Sequence, residues 1–90
     1  MMMKHRARNG VDTFQVEIDS STQYATVYCC YTTKWPIEEK HEKPIATLIR
    51  KRVIEQGPHW RLYNLAGQEI GDGFSFAISA LKYLAREQGE

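Results

Sequence analysis

Three histidines and two cysteines, His5, His41, His59, Cys29 and Cys30, are the side chains best suited to nucleophilic or acid–base chemistry in this 90-residue sequence. A nucleophilic site needs a thiol or hydroxyl, a base and an orienting acid that converge in space. His5 lies in a basic N-terminal stretch and His41 in a run of charges. His59, beside Trp60 at a predicted strand start, is the one that a sheet would set opposite Cys29 or Cys30. No motif places it there, and a surface or packing histidine is the reading preferred. The carboxylates are scattered: Glu38, Glu39 and Glu42 fall in a charged segment, Glu69 and Asp72 at a turn. No pair has the apolar surroundings that would raise one pKa for acid–base work. Gly67 and Gly71-Asp72-Gly73 carry neither the lysine of a phosphate loop nor the GxGxxG spacing, so they read as turn residues.

Cys29 and Cys30 are adjacent, and they are the only cysteines. In a strand, neighbours point to opposite faces, and a bond between them closes a strained ring. They also lack the spaced pairs of a zinc motif. One is therefore expected in the core and the other towards solvent or a partner. The expectation is a protein that is not an enzyme, with no cofactor and no metal. Unpaired thiols point to the cytoplasm, and no apolar run is long enough for a signal peptide or a membrane span.

Nucleic-acid binding has more residues behind it. Lys4, Arg6 and Arg8 form one basic cluster and Arg50-Lys51-Arg52 a second, with Arg61 nearby. As a strand, the second cluster sets Arg50 and Arg52 on one face and Lys51 on the other. Trp35, Trp60 and Tyr63 are of a type that stacks on bases. Against this, charges on strands also guard sheet edges, and a formal net charge of +1 gives no whole-molecule field for a polyanion.

These side chains are positioned by a small set of elements. Ninety residues make one domain; the apolar share of 42% and charged share of 26% are those of an ordinary globular chain. Residues 1–10 read as a flexible basic tail and 11–90 as a single α+β domain. Phe14, Val16 and Ile18 alternate with polar residues, a strand with one apolar face. Tyr24 to Thr33 is rich in β-branched and aromatic residues on both faces, which marks a central strand or one covered twice. Trp35 to Pro44 reads as a charged loop with room for one helical turn. Ile45 to Gln56 suits either a strand, favoured by five β-branched residues, or a helix over about 44–56 that starts at Pro44. His59 to Asn64, a turn at Ala66-Gly67, and Gln68 to Ile70 form a hairpin that Gly71-Asp72-Gly73 ends. From Phe74 the apolar spacing Phe74, Ala77, Ile78, Leu81, Leu84, Ala85 predicts an amphipathic helix capped by Ser75 or Asp72.

The segment Trp60-Arg61-Leu62-Tyr63…Gly67…Gly73-Phe74-Ser75…Ala80 resembles in outline the sheet-plus-helix arm-binding domains of phage-type integrases. There, a tryptophan-bearing strand and a glycine turn precede a serine- or threonine-capped helix. The likeness spans only the last third; the serine-to-alanine spacing differs and the second strand lacks that pattern's basic residues, so no family is assigned on it.

The fold expected is an antiparallel sheet of four to five strands with the C-terminal helix over one face, or a ββαββα arrangement if 44–56 is helical. The leading functional expectation is a small non-catalytic protein-binding module, an adaptor or inhibitor that occludes a surface, or a homodimer. Tyr24, Tyr28, Tyr31, Trp35 and Trp60 are its candidate surface. The alternative is nucleic-acid binding through Lys4, Arg6, Arg8, Arg50, Lys51, Arg52 and Arg61.

Overall fold

The computed structural model describes residues 2–10, 12–51 and 59–88. Six strands and one helix follow one another: β1 (Met3–Asn9), β2 (Asp12–Ile18), β3 (Tyr24–Thr33), β4 (Glu39–Arg50), β5 (Trp60–Asn64), β6 (Glu69–Phe74) and α1 (Ala77–Gln88). Each strand pairs antiparallel with the next, so order in the sheet equals order in the chain. The class is α+β as the sequence predicts, with six strands in place of four to five. The helix touches β1 and β2 at one end of the strand order and β5 and β6 at the other, so the sheet curls around it as a half-barrel.

The additional strand comes from the stretch expected to be a flexible tail. Met3 to Asn9 pairs with β2 along its whole length, from Met3↔Ile18 to Asn9↔Asp12. Its alternation explains why: Met3, His5 and Ala7 stand opposite core residues Ile18, Val16 and Phe14, while Lys4, Arg6 and Arg8 take the outer face. A histidine and an alanine are weak markers of an inward face, and the basic residues dominate the composition.

The charged segment before Pro44 is also not a loop. Residues 34–38 make the hairpin tip, and Glu39 to Lys43 are the first half of β4. The register steps from Val27↔Ala46 to Tyr28↔Pro44, which leaves Ile45 as the extra residue of a β-bulge. Beyond the bulge Ala46 and Leu48 face the core; before it, the parity flips and His41 and Lys43 share a face with Tyr31 and Cys29. A bulge is also where a sheet accepts a proline, which has no N–H for the ladder. Residues 44–50 are therefore strand and not helix; 52–58 lie outside the described residues.

The last third has the predicted hairpin. Gly67 sits at φ 86° and its N–H donates to the Asn64 carbonyl at 3.0 Å, while Asn64 Oδ1 accepts from Ala66 N and Gln68 N, each at 2.9 Å. Gly71-Asp72-Gly73, expected to end the strand, instead bulges within β6: Leu62 pairs with Ile70 but Trp60 with Phe74. The strand continues to Phe74, so α1 begins at Ala77, three residues later than the apolar spacing suggests. Phe76 occupies the cap position in place of Ser75 or Asp72, its carbonyl accepting from Ala80 N at 3.4 Å. Ala77, Ala80 and Ala85 are buried with Leu81 and Leu84, and Ala7 packs against the same core. Small side chains on both partners let the helix lie close against β1.

Candidate functional site

The β3–β4 hairpin outruns its neighbours. β2 pairs with β3 only between Thr13↔Cys30 and Gln15↔Tyr28, and β5 meets β4 only from Ala46↔Asn64 onwards. Tyr31 to Thr33 and Glu39 to His41 therefore form a two-stranded arm with no flanking strand. At its tip Trp35 is 88% exposed and Ile37 63%. Tyr31 and His41 stack along the arm at 5.1 Å, with the Lys43 ammonium 5.4 Å from the Tyr31 ring. Lys34, Lys40 and Lys43 are matched by Glu38, Glu39 and Glu42, so the arm carries no net field.

One grouping on the arm has the residue types of a catalytic relay. Thr33 Oγ1 lies 2.9 Å from His41 Nε2, and Glu39 Oε2 lies 3.6 Å from the same nitrogen. A relay needs the nucleophile on one ring nitrogen and the acid on the other, so that the acid holds the tautomer that leaves a base free. Here both address Nε2, on an exposed arm, and the arrangement cannot move a proton from Thr33 towards Glu39.

The cysteines part as expected. Cys29 is buried and Cys30 half-buried on the outer face, and both are free thiols. Burial, then the Glu42 carboxylate, pushes the Cys30 thiol up; Glu42 Oε2 also accepts from its Sγ at 3.7 Å. Burial likewise pushes Cys29 up. A thiol pushed up in this way is the opposite of an activated nucleophile. His59 precedes Trp60, whose partner on β4 is Arg50, level with the start of β3. Cys29 and Cys30 lie some six residues further along, about 20 Å at strand spacing. The structure does not bring them together. Among the described residues no cluster of metal-ligating side chains forms, and no helix is long and apolar enough to cross a membrane.

The candidate nucleic-acid contacts divide into committed and free groups. Arg50 donates from Nη1 to the Ser20 carbonyl at 2.7 Å and from Nη2 to that of Asp19 at 3.0 Å, and its guanidinium lies 4.6 Å from the Trp60 ring. It fastens the β2–β3 turn to the sheet. Arg61 is paired with Glu69 at 2.6 Å and Lys4 with Glu17 at 3.4 Å. Lys51 is half-buried, its N–H bonded to the His59 carbonyl at 2.6 Å; Arg52 lies outside the described residues. Arg6 and Arg8 remain, exposed and without a carboxylate partner among the described residues.

The aromatic set divides too. Trp60 is 5% exposed and belongs to the core, so it is withdrawn from the candidate surface. Its alternation partner Leu62 is wholly buried, which shows that this face of β5 is the inward one. Tyr24 is 75% exposed, and Tyr28 and Tyr31 are half-buried. Tyr24, Tyr28 and Cys30 share the outer face of β3, which no element of the described fold covers. Where β2 and β3 separate past Gln15 and Tyr28, a groove of about 800 Å³ opens. Its walls mix Lys4 and Gln15 with Glu17 and Glu42.

A second groove, about 620 Å³, runs between β1 and α1 and is lined by Arg6, Arg8, Asn9, Lys82 and Arg86. Sequence reasoning missed Lys82 and Arg86, which sit four apart on the polar face of the helix, and it missed Ile37. The i, i+4 spacing was visible; the strand beside it was not. No protein-family model matches the chain, and comparison with curated proteins and with solved structures returns no match.

Proposed function

We propose that this chain is a non-catalytic binding domain, an adaptor or an inhibitor, that engages a protein partner through the tip of the β3–β4 arm. The observation that carries the reading is Trp35, 88% exposed beside Ile37 on a hairpin that projects beyond its sheet. Leaving both side chains in water forgoes roughly 1.5–3 kcal/mol of burial for each large apolar group. Tryptophan is also the residue type most enriched among those that dominate binding energy, and such residues seat in pockets on the partner. The balanced charge of the arm fits a protein surface better than a polyanion. No arrangement of nucleophile, base and acid among the described residues competes with a binding role.

The test is affinity capture with the wild-type chain and with Trp35→Ala/Ile37→Ala, quantified by mass spectrometry, alongside sedimentation of each alone. A species held by wild type and lost by the variant supports the reading, as does a wild-type dimer that the variant reduces to monomer. Capture sets and masses identical for the two proteins would overturn it.

A further inference from the structure

We propose that Arg6 and Arg8 on the outer face of β1, with Thr13 and Gln15 of β2, bind the phosphate group of a small phosphate monoester. Arg6 stands opposite Gln15 and Arg8 opposite Thr13, and β3 sets Tyr28 and Cys30 level with them. Both arginines are exposed, and with Thr13, Gln15 and Cys30 they line one outer-face pocket of about 460 Å³. Every one of those five side chains carries a hydrogen-bond donor. Lys4, the third outward cation of β1, faces Glu17 and pairs with it at 3.4 Å. Opposite Arg6 and Arg8 the same strand supplies an amide and a hydroxyl, where a carboxylate would complete the cross-strand pair. Neither arginine has a carboxylate partner among the described residues. Two uncompensated like charges on one strand face repel, and a bound anion relieves that repulsion.

Edge protection accounts for cations on β1, but not for where these two lean. A guard reaches past the edge into solvent, whereas these share a pocket with Cys30, two strands inward. Burial and Glu42 push the Cys30 thiol up, and Arg6 lies close enough to draw it partly back. Glu42 accepts from Gln15 Nε2 at 3.2 Å and from Cys30 Sγ at 3.7 Å, but it lines the neighbouring groove and not this pocket. Alternate strand residues are about 6.6 Å apart and neighbouring strands about 4.8 Å. That frame is small enough for both guanidinium forks to close on one phosphate group. Two fixed positive charges match a monoester, which carries about −1.5 to −2 at neutral pH. A polynucleotide diester carries a single charge per phosphate, and no aromatic side chain lines the pocket for a base to stack on. None of the exposed large apolar residues lines it either, which makes a membrane surface a poorer match. The site is separate from the hairpin tip, so it stands whether or not the tip engages a protein.

The experiment is an NMR titration of the full chain with phenyl phosphate, in a low-salt buffer free of phosphate and sulfate. The expected result is saturable amide shifts centred on residues 6–8 and 13–15, with alkylation of Cys30 slowing as the pocket fills. Dimethyl phosphate, with its single charge, should bind about tenfold more weakly. Arg6→Gln and Arg8→Gln should each weaken phenyl phosphate about five- to tenfold. Lys82→Gln/Arg86→Gln removes two cations from the helix and should leave the affinity within about twofold. Circular dichroism of each variant confirms that it folds. Absence of saturable shifts overturns the inference, and so does an affinity loss in the helix variant equal to that of the arginine variants. Tighter binding of a single-stranded oligonucleotide than of phenyl phosphate overturns it in favour of a nucleic acid. Binding to anionic vesicles but not to phenyl phosphate overturns it in favour of a membrane surface.

Discussion

Asp19 shows how a single side chain organises a turn. Its Oδ1 accepts from Ser21 N at 2.9 Å, Ser21 Oγ at 2.8 Å and Thr22 Oγ1 at 2.9 Å. Those bonds, the Ser21 and Thr22 side chains foremost, hold its carboxyl below the usual carboxylate range. A carboxyl whose folded value lies below its unfolded one stabilises above the unfolded value and loses that contribution as pH falls through the folded one. The midpoint difference between wild type and Asp19→Asn should therefore be larger at pH ~6 than at pH ~3. Thermal melts at the two values check this, and a difference that grows on acidification would refute it. Cys30 works in the opposite sense. With its thiol pushed up by burial and by Glu42, alkylation at pH ~8.5 should run slower than for a free thiol, and Glu42→Gln should speed it. The turn at Asp19 was plain in the sequence, since all its partners are local. The commitment of Arg50 to carbonyls about thirty residues back was not, and its composition alone suggested a nucleic-acid contact.

At the scale of elements, β6 and α1 depend on one glycine. Gly71 lies at φ +75°, and a Cβ there would stand 3.0 Å from the Phe74 ring and 3.5 Å from that of Tyr83. Gly71→Ala should cost about 1–2 kcal/mol from the backbone alone, with the ring contact adding to it. Leu81 is wholly buried where the helix meets the sheet, and Leu81→Ala should cost about 2–5 kcal/mol, lowering the melting midpoint steeply. An unchanged midpoint in a circular-dichroism melt would remove α1 from the curl of the sheet. The helix, the Gly67 hairpin, β2 and β3 were legible because their patterns are local and clean. β1 was not, since Ala7 and His5 mark an inward face weakly. The first half of β4 was not, since the Ile45 bulge reverses its parity and Pro44 reads as a strand terminator. The Gly71-Asp72-Gly73 run carries turn chemistry, and only pairing with β5 makes it a bulge.

The whole molecule is elongated, 51 × 31 × 21 Å, and includes the projecting arm. An arm with no flanking strand contributes little to the core, so Trp35→Ala/Ile37→Ala should change stability by no more than about 0.5 kcal/mol. A melt that collapses would show the tip packed against the body and end its candidacy as a binding surface.

Local periodicity was enough to establish the class, the C-terminal helix, the hairpin before it and the opposite facing of Cys29 and Cys30. Each follows from a period of two or 3.6 read over neighbouring residues. Of the candidate binding residues it supplied Trp35, Arg6 and Arg8 as residue types. Long-range pairing settled which of them are free: Trp60 is inside, Arg50 and Arg61 are committed, and Arg6 and Arg8 stand exposed on the outer face of β1. Those outcomes depend on pairings between residues far apart in the chain, which local periodicity does not encode.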